Sequence, residues 1–135
     1  MHTQKFDRRF DHIGIPTSTP RANERYSSTF KMYTSEDESS DFHIQYHRFE
    51  PGSSLHPLIQ TLPHMAYRVD SIDAEITGKT CLLGPYFPFE GYRVAMILEN
   101  GMLIELIETQ LTEAEIWKSP KTKSYIYPED NLPAN

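Results

Sequence analysis

Two stretches decide the fold: Phe10-Asp11-His12-Ile13-Gly14-Ile15-Pro16 and Pro63-His64-Met65-Ala66-Tyr67-Arg68-Val69. Each alternates its side chains with the period of a β-strand. In the first, Phe10, His12 and Gly14 share one face, and Ile13 and Ile15 share the other. In the second, His64, Ala66 and Arg68 fall together. Aligning Asp11-His12-Ile13-Gly14-Ile15 with Pro63-His64-Met65-Ala66-Tyr67 gives one pattern twice: histidine, apolar, small, apolar. Each copy leads into a turn and a segment that can form a short helix. Such self-similarity is the mark of a duplicated unit.

Working outward, Pro16 and Pro20 punctuate the chain, and Arg21 to about Phe30 reads as a short helix. A brief strand follows over Lys31–Thr34, then a polar loop, Ser35–Asp41, with no apolar periodicity. Residues 42–50 read as a strand closed by Pro51-Gly52, and Leu55–Pro63 as a linker. The second half repeats the order. After the strand over 64–69, Asp70 or Ser71 caps a helical turn over Ile72–Ile76 that Gly78 ends. Thr80–Leu83 is a short strand and residues 84–91, GPYFPFEG, an aromatic loop. Strands over Tyr92–Leu98 and Met102–Glu108 flank Asn100-Gly101, a strong hairpin signal. Thr112 and Glu115 suggest a capping box, and later prolines keep the tail extended. Each half also ends on a similar strand, with Tyr46-His47-Arg48-Phe49 set against Ile104-Glu105-Leu106-Ile107. His12 and His47 are 35 positions apart, and His64 and Glu105 are 41 apart, a difference one longer hairpin absorbs. Neither half alone can bury a sheet face, so the two must pair around a cleft.

Composition narrows the class. A chain of 135 residues holds one domain. With 38% hydrophobic and 24% charged residues it can build a core. Nineteen acids against 13 Lys and Arg leave a formal charge of −6, which does not suit nucleic acid. No apolar run spans a bilayer, and the N-terminus lacks an apolar signal segment, so a cytoplasmic protein is expected. The single cysteine, Cys81, excludes an internal disulfide framework and a cysteine-based zinc site. No Gly-rich phosphate loop, nucleophile elbow or His-Glu-x-x-His helix is present.

FDHIGIP, LPHMAYRVDSID, EGYRVAMILENG and LIELIE together resemble the vicinal oxygen chelate superfamily, that of glyoxalase I, bleomycin-resistance proteins and extradiol dioxygenases. The resemblance covers about residues 10–109. It implies an α+β fold in which two βαβββ modules, about 10–51 and 63–109, form a curved mixed sheet around a cleft. Residues 1–109 would form that single domain and 110–135 a C-terminal extension. The first module is short, which predicts a trimmed strand or hairpin. In the family pattern, His12, His64 and Glu105 match positions that ligate metal.

The residues themselves support a site. Glu105 lies in Met-Leu-Ile-Glu-Leu-Ile, a strand apolar on both faces. An ionised carboxylate there is costly unless a cation or good donors meet it. An ion pair with Arg68 or Arg93 would serve, and so would a metal. His12 and His64 open equivalent strands, each followed on its own face by a small residue that leaves room beside the imidazole. Singly, either could be a hydrogen-bonded core histidine. Together with Glu105 they form a divalent-metal set with open positions. His47 is the expected fourth ligand, with Gln45 as its rival and His43 also on that face, while His56 and His2 should face solvent. Tyr86, Phe87, Phe89 and Tyr92 would line a small-molecule pocket or seal its rim. Arg68 could hold an anionic substrate group or a structural ion pair.

The expected activity is a glyoxalase-like, divalent-metal-dependent lyase or isomerase using Zn, Ni, Mn or Fe(II). It would chelate two neighbouring oxygens of a small substrate, with Glu105 moving the proton. One alternative is an Fe(II) ring-cleaving dioxygenase, for which Tyr67 faces away from His64 and cannot assist. Another is a metal-free binding or resistance protein. A homodimer is expected, because each half leaves a sheet face and edge to cover.

Overall fold

The computed structural model describes residues 7–37, 39, 41, 43–117 and 121–131. Its first module holds strands β1 (Arg9–Pro16), β2 (Arg25–Ser27), β3 (Met32–Asp37) and β4 (Ile44–Phe49). Helix α1 (Pro57–Thr61) leads into the second module, β5 (His64–Arg68), α2 (Ile72–Ile76), β6 (Thr80–Phe89), β7 (Tyr92–Glu99) and β8 (Met102–Thr109). A short α3 (Glu113–Ile116) and a 3-10 turn over Pro128–Asn131 follow. All eight strands form one curled mixed sheet in the order β2-β3-β4-β1-β5-β8-β7-β6. Strand β1 runs parallel to β4, β5 parallel to β8, and β1 antiparallel to β5. The modules therefore meet back to back at the centre, as the duplicated pattern requires. The α+β class and the curved sheet around a cleft are as the sequence resemblance implied.

Four local expectations are corrected. No helix forms over Arg21–Phe30: the segment turns through Asn23, at φ 62°, and enters β2. Ala22, Tyr26 and Phe30 have the same four-residue spacing as Ile72 and Ile76 of α2, but Tyr26 pairs with Tyr33 across β2–β3 and donates to Glu50, so strand pairing takes the segment. The first module thus keeps all four strands and loses its helix, rather than a strand or hairpin. Residues 55–63 are not a bare linker. His56 caps α1 by accepting from the Leu58 N–H, Pro57 occupies the first turn, and Ile59 is buried. The polar loop begins later than expected, because Ser35–Asp37 belong to β3. Finally, the aromatic segment 84–89 is part of β6, with register shifts between Leu83 and Tyr86 and between Tyr86 and Phe89.

Other local readings agree with the structure. Ser71 caps α2 through the Ala74 N–H, and both bonds of the Thr112/Glu115 capping box form. Asn100 and Gly101 turn the β7–β8 hairpin with φ of 52° and 81°. His56 is exposed, and His2 lies outside the described residues.

The second module carries most of the core. On β8, Ile104 and Leu106 pack with Ala95, Ile97, Val69 and Ile72 beneath α2. On its other face Leu103 and Ile107 flank Glu105 and are buried in two further apolar clusters, while Glu105 lines the cleft. The tail closes the cup. Tyr125 and Ile126 donate backbone N–H to the Pro88 carbonyl, and Glu90 donates to Thr122. From the other edge, Ser27 donates to the Ile126 carbonyl and Thr29 to that of Tyr125. Residues 122–126 thereby strap β6 to the segment around β2, across the mouth of the sheet. Among the described residues, no helix is long and apolar enough to cross a membrane.

Candidate metal centre

The two central strands position the site. Across the β1–β5 ladder His12 pairs with Ala66, and Gly14 pairs with His64. The two histidines are thus related by the pseudo-twofold axis between the modules, and each has a small residue opposite. Gly14 is required here: a Cβ at that position would stand 2.0 Å from His64 Cε1 and 2.3 Å from Nε2. The His64 ring lies on bare backbone. Glu105 stands beside Ala66 in the β5–β8 ladder. Its Oε1 is 3.2 Å from both His12 Nε2 and His64 Nε2. The ligating atoms of His12, His64 and Glu105 lie within 4.8 Å of one another, and among the described residues they are the metal-competent group so formed.

A register shift in the ladder between Phe10 and His12 leaves Asp11 without a ladder partner. Asp11 Oδ2 accepts from His12 Nδ1 at 2.7 Å, and Asp11 Oδ1 accepts from Arg68 Nε at 3.2 Å. Arg68 also pairs with Glu113. It is therefore a structural ion-pair residue that holds Asp11 on His12. A carboxylate on Nδ1 leaves Nε2 as the atom facing the site, the usual second contact of a metal-binding histidine. Arg93 pairs with Asp73 and approaches Glu108. So neither arginine compensates Glu105, and the two imidazoles do.

The electrostatics agree. Burial opposes charge on His12, but Asp11 and Glu105 overcome it and raise its pKa to about 9. Burial likewise disfavours the Glu105 carboxylate, yet the facing imidazoles hold it below the ordinary carboxylate range. Without a metal, the positive charge of His12 thus lies between two carboxylates, with Asp11 at Nδ1 and Glu105 facing Nε2. His64 Nε2 is buried and, despite its 3.2 Å approach to Glu105, lacks the geometry of a hydrogen bond to any described partner. An orphaned imidazole nitrogen beside a carboxylate and a second imidazole fits a divalent cation.

His47 sits differently. Its ring stacks on His64 with centroids 5.6 Å apart, and its Nδ1 is 3.0 Å from Thr34 Oγ1. Burial and neighbouring His64 push its pKa down to about 3, so it is neutral. The expectation that His47 is the repeat equivalent of Glu105 is corrected by strand register. Gly14 pairs with Gln45 as Ala66 pairs with Glu105. The backbone repeats the relation, Thr17 donating to His47 and Val69 to Ile107. Gln45 is thus equivalent to Glu105 and His47 to Ile107. The alignment slipped by two because period-two alternation keeps both residues on one face. Gln45 Nε2 nevertheless reaches to Glu36 at 3.3 Å, while the His47 ring lies against the centre.

The centre opens into a cavity of about 1060 Å³. Tyr86 and Tyr92 line it, and burial together with the Glu105 charge raises both phenols above their ordinary pKa. Phe89 stacks on Tyr92 with centroids 4.7 Å apart, while Phe87 is 53% exposed and turned outward. Several lining residues had no sequence signal, Thr34 and Lys121 among them. These two enter the cavity wall through a strand edge and the tail, and neither sits in a chemical motif.

No family model and no curated protein matches the chain. Among solved structures, the crystal structure of methylmalonyl-CoA epimerase from Mycobacterium tuberculosis is similar, with a TM-score of 0.52 and 19% identity. The match covers 76% of this chain and 88% of that one. Curled sheet, module pairing and this likeness agree: the chain has the vicinal oxygen chelate, or glyoxalase-like, fold.

Proposed function

We propose that the protein is a divalent-metal-dependent isomerase or lyase of the glyoxalase-like type, acting on a small oxygenated substrate. The observation that carries this reading is the convergence of His12, His64 and Glu105 within 4.8 Å, with His64 Nε2 buried and unsatisfied. The likeness to an epimerase with this fold is a second support. His12, His64 and Glu105 would hold the metal, with His47 as the fourth group at the centre. When bound, the ion would supply Lewis acidity, stabilising negative charge on two neighbouring substrate oxygens as an adjacent C–H bond loses its proton. Asp11 and Arg68 keep His12 oriented. Glu105 takes the proton, and Tyr86, Tyr92 and Val94 wall the reacting carbon from water.

Protein purified without chelators and loaded in turn with Zn, Ni, Mn and Fe(II) is expected to take up about one ion per chain. Glu105→Ala should abolish uptake, and failure of all four ions to load wild type overturns the reading. Loaded protein should exchange a substrate α-proton with solvent deuterium in a panel of hemithioacetals, 2-hydroxyketones and 2-substituted acyl thioesters. The second reading, ring cleavage by Fe(II) and dioxygen, draws on Tyr86 and Tyr92, two half-buried phenols lining the same cavity as Glu105. Oxygen uptake with catechols, without proton exchange, would favour it. We further propose a homodimer. The strap already bonds both sheet edges, so its support is the exposed apolar surface at Phe10, Phe87 and Trp117, between 45% and 57% accessible. Light scattering that returns only 15.7 kDa removes it.

A further inference from the structure

We infer that Lys121 is where the cleft binds an anionic group of its ligand, a carboxylate or a phosphate. Lys121 lines the cavity that holds the His/Glu centre, carried there by the tail. Its Nζ is buried and, among the described residues, has no hydrogen-bond acceptor or ion-pair partner. Its close contact is the face of Phe89, 4.5 Å from Nζ to the ring centroid. Asp130, the acid close enough to influence it, is already committed. One Asp130 oxygen accepts from Arg25 at 2.6 Å and the other from the backbone N–H of Lys121 itself at 3.0 Å. Arg25 is neutralised by Asp130 and Glu129 and stacks on Tyr127. Among the described residues the lysine is thus a cation of this wall without an acidic partner.

An ammonium removed from water without a counter-ion is costly, and a ring face offsets only part of that cost. An arriving anion removes it. The position also suits a ligand that reaches the centre. Phe89 stacks on Tyr92, and Tyr92 lies near enough to Glu105 to feel its charge. Lys121 therefore stands on the ring that stacks on Tyr92, and Tyr92 and Glu105 line the same cavity. A ligand chelating through vicinal oxygens at one end, and running over Tyr92 and Phe89, would present its far end to Lys121. The chelating end of this picture rests on the proposed function. The contact between Lys121 and an anion does not.

The test separates the two. In metal-free protein at fixed ionic strength, adipate and inorganic phosphate should each raise the melting temperature of wild type. They should leave Lys121→Met and Lys121→Gln unchanged, and Lys121→Arg should keep the response. Circular dichroism checks that each variant is folded. Adipate acting alone assigns a carboxylate site, and phosphate acting alone a phosphate site. In metal-loaded protein, adipic monohydroxamate should bind at least tenfold more tightly than acetohydroxamate, which lacks the distal carboxylate. Lys121→Met should shrink that ratio to within twofold. An equal anion response in wild type and neutral variants, or none in wild type, overturns the inference whatever the metal does. If no metal loads but the anion response persists and depends on Lys121, the proposed function fails and the anion site stands.

Discussion

The two modules trace the same path and are held by different forces. In the second, α2 lays Ile72 on the outer face of the sheet over Leu106, and both are fully buried. The pseudo-twofold equivalent of Leu106 is Tyr46, and above it lies the Arg21 guanidinium, 4.0 Å from the ring centroid. Two residues further on, Glu108 accepts the Ile72 N–H at the start of α2. Its equivalent, Arg48, instead binds the Glu24 carboxylate and stacks over Tyr33. Where one half excludes water from a helix and a strand, the other uses guanidinium groups on aromatic rings. Every residue of β4 is only partly buried, whereas β7 and β8 hold runs of buried side chains. The lesson is that a duplicated frame can conserve backbone register while exchanging an apolar covering layer for a polar one.

The largest expected effect breaks the comparison at matched positions. Leu106→Ala removes a fully buried side chain and should cost about 2–5 kcal/mol, whereas Tyr46→Ala, at a partly buried site, should cost distinctly less. Urea melts of the two variants decide it, and equal losses would mean that the polar layer is worth as much as the core.

A second prediction concerns pH. In metal-free protein the His12 pKa is raised to about 9 from 6.5 by Asp11 and Glu105, against the effect of burial. A raised native pKa favours the fold fully below the unfolded value. Stability should therefore hold below about pH 6.5 and fall as pH climbs toward 9. His12→Gln should flatten that slope in thermal melts. Because the metal must displace the same proton, its affinity should rise over this range.

The smallest expected effect sharpens the question of the fourth corner. His47→Ala should weaken metal binding at least tenfold, about 1.4 kcal/mol, and Gln45→Ala much less. Competition against a fluorescent chelator measures both. The reverse outcome would mean that the corner follows strand register rather than ring position.

Much of this was legible in the sequence because the informative residues lie in strands with simple alternation. The duplicated pattern makes His12 and His64 equivalent, each with a small neighbour on its face, and the family resemblance adds Glu105 to them as a metal ligand. The register of β4 was not legible. A shift of two preserves every face, and only the ladder distinguishes Gln45 from His47. Arg21–Phe30 reads as a helix because its propensity is acceptable and Ala22, Tyr26 and Phe30 are spaced four apart, but Tyr26 is taken up by the β2–β3 ladder and by Glu50. In the sequence His56 and Pro57 read as interruptions of a linker, whereas in the fold they serve as cap and first turn of α1. Lys121 carried no signal, since its role depends on where the tail lands.

The strap has a kinetic consequence. The bond from Ser27 to the Ile126 carbonyl joins residues 99 positions apart. Closing so long a loop is entropically expensive until the sheet between its ends has formed. Each module can in principle organise its own strands first, but the rim contributed by residues 122–126 has nothing to dock on until both outer edges exist. The pocket should accordingly be the last part of the molecule to mature, with the metal ligands in place before the wall that carries Lys121.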